Sequence, residues 1–251
     1  MSGGIPINRV SVLGMNVFSD DLAKIPLTRP CATVACINPI AYGIATSDPE
    51  FFAALSKADY LVLDGVYFGL AGLLLEHKWI KANQGPDVFS FFIRKLDAMN
   101  GKAFFLGSSA ETLQKIKNRV AMEYPNVAVD VFSPPFKSAF DDQDNRAMLE
   151  RIDGFGPDIL FVGMTAPKQE NWVHKHRDQI NATLAISIGA VFDWYAGTQK
   201  AIAPIWWKLK LAWLIRTIRR PEILKRYPWI LVFCWYLLLA FLGIKKYDGK
   251  Y

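Results

Sequence analysis

The chain has 251 residues, 52% hydrophobic and 14% aromatic, with 29 Lys/Arg against 23 Asp/Glu. That composition excludes intrinsic disorder and supplies a core for one domain of about 200 residues. The charge is unevenly placed: residues 200–251 hold eleven basic and two acidic residues, +9 against +6 for the whole chain, so residues 1–199 are mildly acidic. Cys31, Cys36 and Cys234 form neither a metal-ligand spacing nor an even disulfide framework, which points to a reducing compartment. The start, MSGGIPINRV, lacks a basic region followed by an apolar stretch. It does not read as a signal peptide, and the globular part is expected in the cytoplasm.

In chain order, short β-rich runs alternate with helical ones. Ala32–Ile37 reads as a strand. Asp48 caps a helix with Pro49 at its first position. Tyr60–Leu63 is an apolar strand ending in Asp64-Gly65, followed by a helix to about Glu76. Pro86–Met99 is helical, with Gly101 placed as a C-terminal glycine cap. Ala103–Leu106 is a strand ending in Gly107-Ser108-Ser109, and Ser109 caps the helix Ala110–Tyr124. Val127–Val131 is a strand and Asp144–Ile152 a helix. Ile159–Val162 is a strand ending in Gly163, followed by a helix from Lys168 to Gln179. Leu184–Ile188 is a strand ending in Gly189. This rhythm predicts an α/β, Rossmann-like, mostly parallel sheet with helices on both faces. The expected catalytic domain is 1–199 and the expected appendage 200–251.

Parallel sheets bind ligands beyond the carboxyl ends of their strands. Chemistry is therefore sought at Asn38-Pro39, Asp64-Gly65, Gly107–Ser109, Gly163–Gln169 and Gly189–Asp193. Asp64 follows an apolar strand with no basic neighbour in sequence; it can act as a general base, although locally a cap of the following helix is the plainer reading. Gly107 and Ser108 open a helix whose N–H groups suit a phosphate, although any loop between a strand and a helix can look so. Neither the dinucleotide glycine fingerprint nor a Walker loop is present. In GMTAPKQENW, Lys168, Gln169 and Glu170 cluster at a helix start. Gln can read a base or sugar edge and Lys can meet a phosphate; an ordinary capped start is the plain alternative. Asp142-Gln143-Asp144 has the D-x-D spacing of metal-dependent sugar-nucleotide enzymes. Its polar context reads instead as acids favouring a helix dipole. His77, His174 and His176 are scattered, and no metal is expected.

The last 52 residues hold five of the eight Trp. Pro228–Ile244 is seventeen residues without a charge, at the lower limit for a span. Lysine and arginine flank it on both sides, so orientation is undetermined. An interfacial or re-entrant helix is the favoured reading; a span and a buried C-terminal helix are the alternatives. Arg216, Arg219 and Arg220 share a helix face. They suit lipid phosphates or a diphosphate clamp equally.

The blocks GPDILFVGMTAPKQENWVHKH and IGAVFDWYAGTQKAIAP, with INPIAYGIA, ADYLVLDGV, NQGPDVF and a basic KRY end, resemble the WecG/TagA/CpsF family of bacterial glycosyltransferases over about residues 10–230. The resemblance implies a metal-independent, inverting transfer from a UDP-sugar to a polyprenol-diphosphate-linked sugar, in cell-surface polysaccharide synthesis at the cytoplasmic face of the inner membrane. It implies Asp64 as base, Asn38 in the pocket, Gln169 at the nucleotide-sugar site and tail arginines on the diphosphate. With them go Lys168, Glu170, Gly107, Ser108 and Gly163, Asp87 in the NQGPDVF block and Asp193 in the VFDW segment as candidate substrate-binding residues. Departures are Cys36 for the usual Thr, Met164-Thr165 after Gly163, Ile202-Ala203-Pro204 for R-A-P, and Ser133–Phe136 for G-Y-F. They leave the donor sugar open. No cofactor and no nucleic acid are implied; an anionic membrane is, with homo-oligomerisation open. A nucleotide-sugar oxidoreductase and a non-catalytic membrane scaffold are the rival readings.

Overall fold

The computed structural model describes residues 6–199, 203, 205, 206, 209, 211–219 and 221–244. Arg220, the Arg216 side chain, Ile202 and Pro204 lie outside the described residues. The strands are β1 Arg9–Val12, β2 Met15–Phe18, β3 Ala32–Ile37, β4 Tyr60–Leu63, β5 Lys102–Gly107, β6 Ala128–Phe132, β7 Ile159–Gly163 and β8 Leu184–Ser187. They form one sheet in the order β1-β2-β4-β3-β8-β7-β5-β6. β1 runs antiparallel to β2; the other pairings among the described residues are parallel. β4, β7 and β8 are buried at every position, which is why they read as unbroken apolar runs rather than alternating ones.

The helices are α1 Pro39–Ala45, α2 Pro49–Ser56, α3 Gly69–Glu76, α4 Gly85–Ala98, α5 Ala110–Glu123, α6 Asp142–Phe155, α7 Lys168–His176, α8 Val191–Tyr195, α9 Ala212–Arg219 and α10 Pro228–Phe241. Successive strand residues point to opposite faces. Val34, Val62, Phe105, Phe161 and Ile186 join α4, α5 and α8 in one core layer. On the other face Ala35, Ile37, Leu61 and Leu63 meet α1, α2 and α3, while Phe104, Leu106, Leu160 and Val162 meet α6 and α7.

Two local expectations are corrected. The strands read from the sequence begin at Ala32, and the structure adds β1 and β2 before them as a hairpin. Its turn residues Leu13 (φ 51) and Gly14 (φ 75) are both left-handed, as a tight two-residue turn demands. Leu at the first position hides it, because Asn or Asp is the usual signal there. At the end of α4 it is Asn100 (φ 54), not Gly101, that turns left-handed; Gly101 N–H then closes on the Leu96 carbonyl at 2.8 Å. Asn tolerates this region better than other residues with a Cβ.

The apolar tail helix α10 packs along α1 and α3. Phe233 is buried there, edge-on to Tyr42 at 5.8 Å and 5.4 Å from the Phe68 ring centroid. Gly43 permits the approach, since a Cβ on it would stand 2.2 Å from the Trp229 carbonyl oxygen. The buried-helix alternative is therefore realised on one face of α10. Even so, Leu224–Phe241 is long and apolar enough to cross a membrane, and only 6% of that stretch is buried.

Candidate active site

β3 and β8 are neighbours, but the chain leaves them toward opposite faces: α1 packs in one core layer and α8 in the other. Such a reversal opens a crevice at the carboxyl ends of the two strands, the usual ligand position in open α/β sheets. The five loops singled out in the sequence all follow parallel strands and all lie on this edge.

Asn38 ends β3 and caps α1. Its side-chain oxygen accepts from Ala41 N–H at 2.9 Å, and Pro39 fills the first helical position, where no N–H is needed. That cap aims the Asn38 Nδ2 at Asp64, 3.4 Å from Oδ2. Asp64 ends β4 with its own N–H bonded to the Ile37 carbonyl at 2.9 Å. Its side chain makes no α3 cap: the residue at that position is Phe68, without a side-chain cap bond. Asp64 thus stands half-exposed at the crevice, oriented by an amide.

Behind it lies a buried polar pair from α7. Gln169 Oε1 accepts from Met164 N–H at 3.2 Å and Gly189 N–H at 3.1 Å, tying the ends of β7 and β8. Its Nε2 donates to Glu170 Oε1 at 2.7 Å. Both lone pairs of the amide oxygen are committed to backbone, so one Nε2 hydrogen remains for a ligand. Gln169 shapes the crevice first; the sugar-edge contact expected of it has only that hydrogen to use. Glu170 Oε2 is buried without a hydrogen-bond partner. Burial pushes the Glu170 carboxyl up to about 7, against the opposing pull of the Gln169 bond, its own backbone N–H and the Arg226 charge. Cys36 faces the same region: burial first, then the charges of Asp64 and Glu170, hold its thiol well above the ordinary range.

Beside the crevice, Gly107 (φ 112) lets β5 close on β7, where a Cβ would sit 2.6 Å from the Gly163 carbonyl oxygen. Ser108 (φ 56) follows in the left-handed region, its carbonyl held by Ser133 Oγ at 2.7 Å, and Ser109 caps α5. An open concavity of about 570 Å³ lies between the first two turns of α5 (Glu111, Thr112, Lys115) and Asp193, Thr198 and Gln199. Asp193 Oδ2 accepts from Gln199 Nε2 at 2.7 Å.

Other candidates are occupied elsewhere. Lys168 Nζ donates to the Lys137 carbonyl and sits 3.5 Å from the Phe140 ring centroid; burial lowers its pKa. Asp87 is exposed and accepts from Gln84 N–H at 3.3 Å, as a cap of α4. Asp144 forms a capping box with Asp141, and Lys137 bridges both at 2.7 and 2.8 Å. The D-x-D pair is a helix start, and no group of three or more His, Cys, Asp or Glu among the described residues could hold a metal. Of the tail arginines, Arg219 is exposed. Arg226 donates to the Ala166 carbonyl at 2.9 Å, in the loop that leads to Gln169 and Glu170. Sequence reading placed Arg226 only within a basic stripe. Its neighbour Tyr227 contacts Thr217 of α9, a contact no periodicity announces.

An amide-oriented carboxylate at a switch-point crevice, backed by a second carboxyl that burial raises and approached by Arg226, fits an enzyme of the α/β type. The Glycosyl transferase WecG/TagA/CpsF family matches residues 3–247, and the chain belongs to it. Among its relatives is the N-acetylglucosaminyldiphosphoundecaprenol N-acetyl-beta-D-mannosaminyltransferase of Staphylococcus aureus (strain MW2). It is 25% identical over 213 residues, covering 85% of this chain and 82% of the relative. The protein of that name from Bacillus subtilis (strain 168) is 26% identical over 196 residues, covering 78% and 74%. The family sets aside the oxidoreductase and scaffold readings.

Proposed function

We propose that this chain transfers a sugar from a UDP-sugar to a polyprenol-diphosphate-linked sugar, with inversion and without a metal. The Asn38–Asp64 pair beside the switch point carries the reading. Asp64 takes the proton of the acceptor hydroxyl. That oxygen bonds to the donor anomeric carbon on the face opposite the diphosphate, and the bond from that carbon to UDP breaks, with the electron pair leaving on UDP. Asn38 holds the carboxylate toward the acceptor. Gly107, Ser108 and Gly163 let backbone approach the nucleotide, and Gln169 and Glu170 fix the loops around it. Asp193 borders the open concavity beside α5, while Asp87 and Lys168 support the neighbouring segments. Arg216, Arg219 and Arg220, joined by Arg226, supply counter-charge to the leaving diphosphate, a stabilisation aimed at charge that develops in the transition state. The relatives' names make N-acetylmannosamine the first donor sugar to test and a GlcNAc-diphosphate lipid the first acceptor. An acceptor held in a bilayer puts the enzyme at an anionic membrane, on the cytoplasmic face that holds nucleotide sugars.

The test is a panel of UDP-sugars with a short-chain lipid-diphosphate-sugar acceptor, run on the wild type and Asp64→Asn. The variant is expected to keep its fold and its UDP binding while turnover falls by about 10²–10⁴, the usual cost of losing a general base. Near-normal turnover in the folded variant removes Asp64 from that role. Turnover should survive EDTA; loss on chelation with recovery in Mg²⁺ or Mn²⁺ overturns the metal-free reading.

A further inference from the structure

α3 has apolar residues on both faces. Phe68, Ala71 and Gly72 are buried against the body, whereas Tyr67, Leu70, Leu73 and Leu74 are 43–46% exposed. Leu70, Leu73 and Leu74, three and four residues apart, share one outward stripe of α3, and Tyr67 lies in the turn before it. α10 repeats the pattern. Phe233 faces inward, while Leu231, Trp235, Leu238 and Phe241 are 47–71% exposed. Phe68 and Phe233 touch at the seam, so the two outward stripes belong to neighbouring helices. Contiguous exposed apolar surface of this kind marks a contact site in a soluble protein or a membrane-facing one.

The rim says which. Trp79, 59% exposed, stands between the exposed Lys78 and Lys81 at the end of α3. The exposed Lys225 stands before α10. Trp beside cations around an aliphatic centre suits the headgroup zone of an anionic bilayer. Although Leu224–Phe241 has the length and apolarity of a span, α10 packs its Phe233 face against Tyr42 and Phe68. Its contact with Gly43 holds it lengthwise against α1.

We propose that α3 and the outer face of α10 together form the face on which the catalytic body lies on an anionic bilayer. The body itself is then a membrane-contacting element, not a soluble domain tethered by a tail. α3 begins five residues after Asp64, so seating α3 in the headgroups sets the height of the base above the lipid surface. The proposal deepens the reading that the acceptor is held in the membrane and rests on it.

The experiment uses the full chain and vesicles of phosphatidylglycerol with phosphatidylcholine, without donor or acceptor, so a failed transfer assay leaves its outcome readable. The triple variant Leu70→Gln, Leu73→Gln, Leu74→Gln should cosediment with vesicles roughly tenfold less or weaker still, because three aliphatic side chains no longer leave water on binding. Its turnover on a water-soluble acceptor analogue should be unchanged. As a second measurement that spares the fold, Leu73→Cys in a Cys234→Ser background carries an environment-sensitive fluorophore, which should brighten and shift to the blue on vesicle addition. Undiminished cosedimentation of the triple variant, or a label that vesicles leave unaltered, overturns the proposal. So does light scattering that shows a dimer dissociating on the triple substitution, since the face would then bind a second copy.

Discussion

The two flanks of the sheet treat water differently. Beyond β6, α5 turns a polar face outward, with Lys115–Glu111 and Arg119–Glu123 pairs one turn apart, and Arg151 of α6 reaches Asp130 at 2.8 Å. Beyond β1, α3 and α10 present leucine, tyrosine and tryptophan. Both flanks pack apolar residues against the sheet; their outer faces differ. An amphipathic helix needs one apolar stripe to pack, and a second stripe on the same helix has no folding role. The difference teaches that one flank was shaped for water and the other for something apolar.

The largest break in that comparison comes where α10 meets the body. Phe233→Ala should destabilise the protein by about 3–5 kcal/mol, because Phe233 packs with both Tyr42 and Phe68; chemical denaturation checks it. For the same reason a cut after Tyr227 should do more than release the protein from membranes: it should lower the melting temperature by exposing α1 and α3. Unaltered melting would show α10 to be an independent tail.

Between the flanks lies Glu170, whose carboxyl is held up to about 7 by burial against an ordinary 4.5. A raised acid binds its proton more tightly folded than unfolded. The stability it contributes is complete below about pH 4.5 and is lost as pH rises toward 7, in total by about 3 kcal/mol. Glu170→Gln, which keeps an oxygen for Gln169, should flatten denaturation midpoints across that window; a slope identical to wild type would place the titration elsewhere.

A smaller effect is expected at Gly43→Ala, where the added carbon meets the Trp229 carbonyl. Overpacking of that size costs about 1–3 kcal/mol, and the variant should loosen α10 while leaving UDP binding intact, as calorimetry on the two ligand states would show. The smallest belongs to the polar flank. Lys115→Ala removes an exposed pair and should alter neither the denaturation midpoint nor vesicle binding; a fall in vesicle binding would make α5 a membrane contact and erase the contrast.

Much of the frame was legible because parallel strands buried on both faces leave unbroken apolar runs bounded by turn residues. Ala32–Ile37 and Tyr60–Leu63 have the limits read for them, and Asp48 and Ser109 cap as their positions demand. The crevice was legible too, since strand ends in a parallel sheet share one edge. Partners distant in sequence were not. Nothing local ties Gln169 to Gly189, or Arg226 to Ala166, because hydrogen bonds across twenty and sixty residues leave no period in the chain.

The sequence by itself determined the alternation of strand and helix, the five loops, Asp64 at a strand end and the charge contrast between body and tail. Each follows from local rules: apolar periodicity, capping chemistry and residue count. Only the tertiary structure decided that burial raises the Glu170 carboxyl, that Gln169 ties β7 to β8, and that α10 lies along α1. It also showed which leucines of α3 face outward. Burial and contact depend on what the rest of the chain packs against, and an apolar residue looks the same in sequence whether it meets a core or a bilayer.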